Sequence, residues 1–253
     1  VEGNSGGQAF LFMNEMGSYQ EMAADAGLDH SEKETGSEFV DYDNDGYLDL
    51  LITTEKGLLL YRNDGKGKFD VMTEEAGLAG TGPVDNILLG DLDNDGDLDL
   101  YVARNGENQV FRNNADGTFS EKGSEMNLDG GDRNTLDMAF GDFDDDGDID
   151  LIAVNEDEGI LHFSNMREGN FQAISSGLGE VRNMKKVVAG DYNNDGYLDV
   201  FLLAADGQAH EMFLNKRDGT FEPDGQQENI RQFTAGMDAM DAAFLDFDND
   251  GAL

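Results

Sequence analysis

The stretch Asp41-Tyr42-Asp43-Asn44-Asp45-Gly46-Tyr47-Leu48-Asp49-Leu50 decides how this 253-residue chain is read, because it comes back four more times. The copies begin at Asp91 (DLDNDGDLDL), Asp142 (DFDDDGDIDL), Asp191 (DYNNDGYLDV) and Asp246 (DFDNDGAL), at intervals of 50, 51, 49 and 55 residues. A fixed period of this length marks an array in which each repeat is one supersecondary unit that buries its apolar face against its neighbours. Two other signals keep the same phase. An Asn-to-aromatic turn follows each of the first four loops, as Asn63–Phe69, Asn113–Phe119, Asn165–Phe171 and Asn215–Phe221, with a shorter copy at Asn14–Tyr19. An Ala-Gly-Leu ending appears as Ala26-Gly27-Leu28, Ala76-Gly77-Leu78 and Ser176-Gly177-Leu178, and degrades to Met126-Asn127-Leu128. The units run approximately over 1–30, 31–80, 81–130, 131–180, 181–232 and 233–253, the first and last being partial.

Within the second unit, Asn86–Gly90 is a short apolar strand candidate ahead of the loop. Leu98–Ala103 alternates and is rich in strand formers, and Gln109–Asn113 is a third strand. Asn114-Ala115-Asp116-Gly117 is a hairpin turn whose glycine suits positive φ, and Thr118–Glu121 is a fourth, more polar strand. Four short antiparallel strands per repeat of about fifty residues predict an all-β chain built as a β-propeller of four-stranded blades. The first strand of each unit, such as Val187-Val188-Ala189 or Ala243-Phe244-Leu245, is apolar on both faces and is expected to lie innermost between blades. No sustained period of 3.6 residues supports a helical array, and solenoid coils are shorter than this repeat.

The loop has the chemistry of a hard-cation site. Positions 1, 3 and 5 are Asp or Asn in every copy, position 6 is Gly, and position 9 is Asp in the four complete copies. Ca²⁺ takes six to eight oxygens at ~2.3–2.6 Å, and carboxylates two residues apart converge when the chain wraps tightly. The glycine permits the turn that brings the position-7 carbonyl inward. Two carboxylates 4 Å apart repel by about 1 kcal/mol even in water, so the six acids between Asp142 and Asp150 call for a counter-ion. Mg²⁺ demands stricter octahedral geometry, and Zn²⁺ prefers His or Cys ligands. An EF-hand is excluded on ligands and context. Its position-12 Glu is replaced by Ile52, Val102, Ala153 and Leu202, and the flanks read as strands.

Composition narrows the function classes. Fifty-five acidic side chains against 16 basic ones give a net charge of −39, which disfavours nucleic acid and anionic membrane surfaces. Sixteen Phe, seven Tyr and only two Pro argue against disorder despite that charge. No apolar run approaches the ~20 residues needed to span a bilayer. Val1–Gly7 does not read as a signal peptide, and the absence of cysteine excludes a disulfide framework.

These residues resemble the FG-GAP/VCBS repeats of integrin-like β-propellers, over nearly the whole chain from about Phe10 to Leu253. The resemblance implies a Ca²⁺-binding loop between the first two strands of each blade, with four to five ions in total. By match the ligands are Asp41, Asp43, Asp45 and Asp49; Asp91, Asp93, Asp95 and Asp99; Asp142, Asp144, Asp146 and Asp150; and Asp191, Asn193, Asp195 and Asp199. Asp246, Asp248 and Asp250 remain in the fifth loop. Position-7 carbonyls come from Tyr47, Asp97, Asp148 and Tyr197, with Ala252 in the fifth loop. Family propellers often have seven blades, whereas this sequence holds material for about five. The two partial units either complete one blade of a five-bladed ring, or the chain is a fragment of a longer propeller, which is the expectation.

The resemblance also implies a non-catalytic extracellular or cell-surface module, secreted or periplasmic, that binds protein or glycan partners and is stabilised by Ca²⁺. Fold alone does not license a function. One alternative is a polysaccharide lyase or hydrolase, for which His30, His162, His210, Asp137 and Asp241 are the available acid–base groups, the last four better read as structural. Another is a self-assembling surface or filament subunit pairing through blade edges. Arg182, Lys185 and Lys186 concentrate positive charge before the fourth loop, where internal charge balance is the simpler account than an acidic-ligand site.

Overall fold

Each repeat folds as an antiparallel meander, because its four short strands are joined by tight polar turns and each is too short to span anything but one blade. The structure, a computed structural model, describes residues 10–28, 30–156, 159–237, 239–246, 248 and 251. It opens with the hairpin β1 (Phe12–Glu15) and β2 (Ser18–Glu21), followed by the single-turn helix α1 (Ala23–Ala26). The first blade is β3 (Glu34–Val40), β4 (Asp49–Thr54), β5 (Gly57–Asn63) and β6 (Phe69–Val71). The second is β7 (Asn86–Gly90), β8 (Asp99–Ala103), β9 (Gln109–Asn113) and β10 (Phe119–Glu121). The third is β11 (Thr135–Gly141), β12 (Asp150–Asn155), β13 (Gly159–Asn165) and β14 (Phe171–Ile174). The fourth is β15 (Met184–Gly190), β16 (Asp199–Ala204), β17 (Glu211–Asn215) and β18 (Phe221–Pro223), and helix α2 (Gln227–Thr234) follows it. In all four sheets spatial order equals chain order, so the first and fourth strands are edges. The sequence-derived expectation of an all-β chain of four-stranded antiparallel blades holds.

The chain divides into two compact units. The first comprises residues 1–89, 97–104 and 109–122, and the second residues 90–96, 105–108 and 123–253. In the first unit, Leu51, Leu58 and Leu60 of one blade pack with Leu100, Val102 and Phe111 of the next, joined by Tyr42, Ala76 and Leu78. The opposite face of β4 presents Leu50 and Ile52 to Ala23, Ala26 and Leu28 of the N-terminal segment. In the second unit, Ile152, Val154 and Ile160 pack with Val200, Leu202 and Phe213, closed by Phe143, Leu178 and Phe221.

The second strand of a blade, not the first, is the one buried on both faces. Every residue of β4, β8 and β12 is buried, whereas β3 and β7 are largely half-buried or exposed. The physical reason is position: the second strand is flanked by strands on both sides, while the first is an edge. Lying at the sheet edge is compatible with the expected inner position between blades, and β11 and β15 of neighbouring blades do pack together. Ala243-Phe244-Leu245, expected as such a strand, is irregular backbone.

The Ala-Gly-Leu ending is explained by contact with the following blade. A Cβ on Gly77 would sit 2.9 Å from the Phe119 carbonyl oxygen, and one on Gly177 2.5 Å from that of Phe221. The neighbouring main chain is bonded across the same junction, with Phe119 N–H donating to Ala76 at 2.8 Å and Phe221 N–H to Ser176 at 2.7 Å. Both glycines have positive φ, which an L residue adopts only at a cost. The degraded third copy keeps the geometry by other means. Asn127 takes φ +59°, and its side-chain amide donates to the Phe171 carbonyl at 3.3 Å. Among the described residues no helix is long and apolar enough to cross a membrane.

Candidate metal centre

Each of the first four loops joins the first strand of a blade to the second and is held by its own carboxylates. In the first loop, Asp41 accepts the N–H groups of Asp45 (Oδ1, 3.1 Å) and Gly46 (Oδ2, 3.0 Å), and Asp45 accepts that of Tyr47 at 2.9 Å. The third loop repeats this with Asp142 accepting Asp146 and Gly147 at 3.1 Å each, and Asp146 accepting Asp148 at 3.0 Å. In the fourth, Asp191 accepts Asp195 and Gly196 at 2.9 Å each and Asp195 accepts Tyr197 at 3.1 Å. Asp91 accepts Asp95 and Gly96 in the same way, and Gly251 donates to Asp246 at 2.8 Å in the fifth. The chain turns back through two left-handed residues, Asn44 at φ +57° and Gly46 at +89° in the first loop, with equivalents at Asn94/Gly96, Asp145/Gly147 and Asn194/Gly196. Asn and Asp are among the few non-glycine residues that tolerate this region.

This wrapping brings the odd-numbered carboxylates together. One oxygen each of Asp41, Asp43 and Asp45 lies within 4.8 Å of the others, and the same is true of Asp142, Asp144 and Asp146. Asp91 and Asp93 share that spacing in the second loop. The position-9 aspartates are anchored to the main chain. Asp49, fully buried, accepts Asn63 N–H at Oδ1 (2.8 Å) and Tyr42 N–H at Oδ2 (3.2 Å). Asp150 accepts Asn165 (2.9 Å) and Phe143 (3.0 Å) in the same manner, and Asp199 and Asp99 each accept the N–H of Asn215 and Asn113 at 2.8 Å. Each carboxylate oxygen keeps a further lone pair, so anchoring the loop and facing an ion are compatible. Asp248 lies within the described part of the fifth loop, whereas Asp250 and Ala252 fall outside the described residues.

The electrostatics favour a cation. Burial pushes Asp49 up to about 6 and Asp150 up to about 7, offset in part by their backbone donors and raised further by neighbouring aspartates. Burial, then the charges of adjacent aspartates, also raises Asp43 and Asp144. Burial raises the Tyr42 hydroxyl to about 12. Asp144 supplies a more specific test of fit. Its Oδ2 accepts Ser164 Oγ at 3.3 Å, while its buried Oδ1 has no hydrogen-bond partner. A buried carboxylate oxygen without a donor is costly unless a cation faces it. The donor set is all oxygen, which suits Ca²⁺ and not Zn²⁺. The residues fit the ion that the sequence implies.

Four overlapping stretches, residues 41–102, 91–153, 142–202 and 191–253, match the FG-GAP-like repeat, each running from one loop through the next. The chain belongs to the FG-GAP-like repeat family. No curated protein matches this FG-GAP-like chain significantly. Among solved structures it is similar to an Agrocybe aegerita lectin described for specific recognition of non-reducing terminal N-acetylglucosamine, at 23% identity and a TM-score of 0.57. That similarity covers 85% of this chain and 60% of the lectin, so the FG-GAP-like chain spans less than two thirds of it. It is also similar to PorZ, a surface component of the type-IX secretion system of Porphyromonas gingivalis, at 12% identity and a TM-score of 0.52, covering 86% of this chain and 26% of that one. Both likenesses concern the fold.

The acid–base candidates of the enzyme alternative are engaged in structure. His162 is buried in β13, with Phe143 edge-on at 5.4 Å between ring centroids and Phe221 at 5.8 Å. His210 Nδ1 accepts Ala204 N–H at 3.1 Å, and His30 pairs with Glu34 at 2.8 Å in a buried contact. Asp137 Oδ2 accepts Val187 N–H at 3.0 Å, and Asp241 pairs with Lys186 at 3.3 Å. Arg182 donates to the carbonyls of Gly179 and Val181. An apolar cavity of about 470 Å³ in the second unit is lined by Val188, Tyr192, Phe201, Met212, Ile230 and Phe244, among others, with no carboxylate, histidine or lysine in its wall.

Sequence reasoning missed one class of functional residue. Asn113 Nδ2 donates to the Tyr42 carbonyl at 2.8 Å, Asn165 Nδ2 to that of Leu92 at 2.9 Å, and Asn215 Nδ2 to that of Phe143 at 2.7 Å. In addition, the amides of Asn44 and Asn94 donate to the carboxylates of Asp97 and Asp148. The in-phase recurrence of Asn at the end of the third strand was the available signal.

Proposed function

We propose that this chain is a Ca²⁺-stabilised, non-catalytic binding module of an extracellular or cell-surface protein, holding one ion per complete loop and taking a glycan or protein partner. The reading rests on one observation above all. The loops of the first and third blades converge three carboxylates each, and in the third a buried oxygen of Asp144 faces no donor. Such groups repel unless a divalent ion lies among them. Free Ca²⁺ is abundant outside cells, where weak sites of this kind are filled. The lectin of similar fold recognises a terminal N-acetylglucosamine, which supports glycans as the first partner class to test. The enzyme alternative finds less support, since each candidate acid or base is committed to a hydrogen bond, an ion pair or a buried aromatic contact.

Thermal unfolding with and without a chelator tests the ion. At ~100-fold over its dissociation constant each site adds about 2.7 kcal/mol, so EDTA lowers the melting temperature steeply, and an unchanged curve would count against the reading. A glycan array probed in millimolar Ca²⁺ tests the partner. Calcium-dependent binding to a restricted set of sugars is the expected result, and hydrolysis or eliminative cleavage of any of them would restore the enzyme alternative.

A further inference from the structure

The third-strand asparagines do more than close a turn. Phe143, at position 2 of the third loop, lies between the carboxylate-bearing residues Asp142 and Asp144. Its N–H is held by Asp150 of the same loop at 3.0 Å, and its carbonyl by Asn215 of the following blade at 2.7 Å in a buried bond. Tyr42 is pinned in the same way, through Asp49 at 3.2 Å and Asn113 at 2.8 Å. The peptide that spaces the first two carboxylates is thus fixed at one end by its own blade and at the other by the next.

The following blade also touches a carboxylate-bearing residue directly. Gly219, in the turn after Asn215, lies so close that a Cβ there would be 3.1 Å from the Asp144 Cβ. Gly169 repeats the approach to Asp93, at 3.4 Å. The same asparagines reach their own loops through the main chain: Asn215 N–H donates to Asp199 at 2.8 Å, Asn165 N–H to Asp150 at 2.9 Å and Asn113 N–H to Asp99 at 2.8 Å. One residue therefore bonds two successive loops, its side chain to the earlier and its backbone to the later.

We infer that Asn113, Asn165 and Asn215 are positioning residues that couple each cation loop to the loop of the blade before it, so that ions at successive loops bind with positive cooperativity. The inference rests on the Ca²⁺ reading above. Coupling of this kind is reciprocal: whatever the earlier site does for the later, the later does for the earlier. The first and second loops, and the second and third, have an additional link from Asn44 to Asp97 and from Asn94 to Asp148. The third and fourth loops carry Asp145 and Tyr197 at those positions, so an amide-to-carboxylate bond is unavailable and Asn215 carries the link without it.

The test is a Ca²⁺ titration of the full chain followed by NMR at the loop glycine amides, with Gly147 reporting the third loop and Gly196 the fourth. In the wild type, both amides shift with Ca²⁺. Asn215→Ala raises the midpoint at Gly147 roughly tenfold, the equivalent of one buried hydrogen bond, although residue 215 lies in the other blade. Asp144→Asn, which weakens the third loop, raises the midpoint at Gly196 in the wild-type background and leaves it unmoved in the Asn215→Ala background. A purely structural asparagine moves neither Gly147 selectively nor this dependence. A Gly147 midpoint within twofold of wild type, or an effect confined to Gly196, overturns the inference while leaving the ion reading intact. Wild-type amides that ignore Ca²⁺ overturn both. Should Asn215→Ala fail to fold, Asn113→Ala read at Gly46 decides by the same criterion.

Discussion

Gly177→Ala and Gly179→Ala, two residues apart, are expected to behave in opposite ways. Gly177 has φ +90°, and an added Cβ would stand 2.5 Å from the Phe221 carbonyl oxygen, about an ångström inside ordinary contact. That oxygen is backbone and cannot rotate away. An L residue in left-handed geometry costs roughly 1–2 kcal/mol. Moving the two strands apart weakens the 2.7 Å bond from Phe221 N–H to Ser176, worth about 1 kcal/mol. The sum is about 2–3 kcal/mol, which for a chain of this size lowers the melting temperature by roughly 4–12 °C. Gly179 has no positive φ and no heavy atom within 4 Å of an added Cβ. Alanine there only restricts the unfolded chain, so stability is unchanged or rises by about 0.4–1 kcal/mol. Urea unfolding at fixed, saturating Ca²⁺ measures both without mass-action effects. The reasoning fails if Gly177→Ala lies within about 0.5 kcal/mol of wild type, or if the two variants lose stability equally.

Two further outcomes follow from the core of the second unit. Burial lowers the His162 imidazole from 6.5 to about 4. The unfolded chain then binds more protons than the folded one between those values, so this residue's contribution is full above pH 6.5 and is lost as pH falls toward 4. The loss is on the order of 3 kcal/mol. His162→Leu removes that part of the acid slope, and identical slopes for the two proteins in Ca²⁺-saturated unfolding at pH 4 to 7 would contradict it. Ile152 is fully buried at the blade–blade contact, and Ile152→Ala costs about 2–5 kcal/mol by denaturant unfolding; a loss under 1 kcal/mol would mean the site collapses around the cavity.

Much of this fold is legible because the same local rules repeat. Val-, Leu- and Ile-rich second strands, the Asn-to-aromatic turns and the Asp-rich loops each recur in phase, and β4, β8, β12 and β16 begin at the position-9 aspartates. What the sequence hid depends on contacts between repeats. Strand burial is one case: Val187-Val188-Ala189 is apolar throughout, yet its strand is an edge of its sheet and only partly buried. The asparagine bonds are another. Asn113 to Tyr42, Asn165 to Leu92 and Asn215 to Phe143 span 71, 73 and 72 residues, a separation that no local pattern encodes. Helix α2 replaces the Ala-Gly-Leu ending in the repeat where that signal fades, and its roughly two turns of mostly polar sequence, Gln227 to Thr234, carry only Ile230 and Phe233 as large apolar residues, too short a pattern to announce a helix.

For the loops, the aspartates at positions 1, 3 and 5 stand out in the repeated sequence, and those of the first and third loops lie close together. The dual engagement of the position-9 aspartates was not readable, since it depends on where the third strand of the same blade returns. The central claim is that cations occupy these turns. A crystal grown at saturating Ca²⁺ and measured for anomalous scattering tests it most directly. The account predicts a peak in each complete loop, within about 2.3–2.6 Å of the carboxylates at positions 1, 3 and 5; loops of this geometry that show no anomalous density in saturating Ca²⁺ would contradict it.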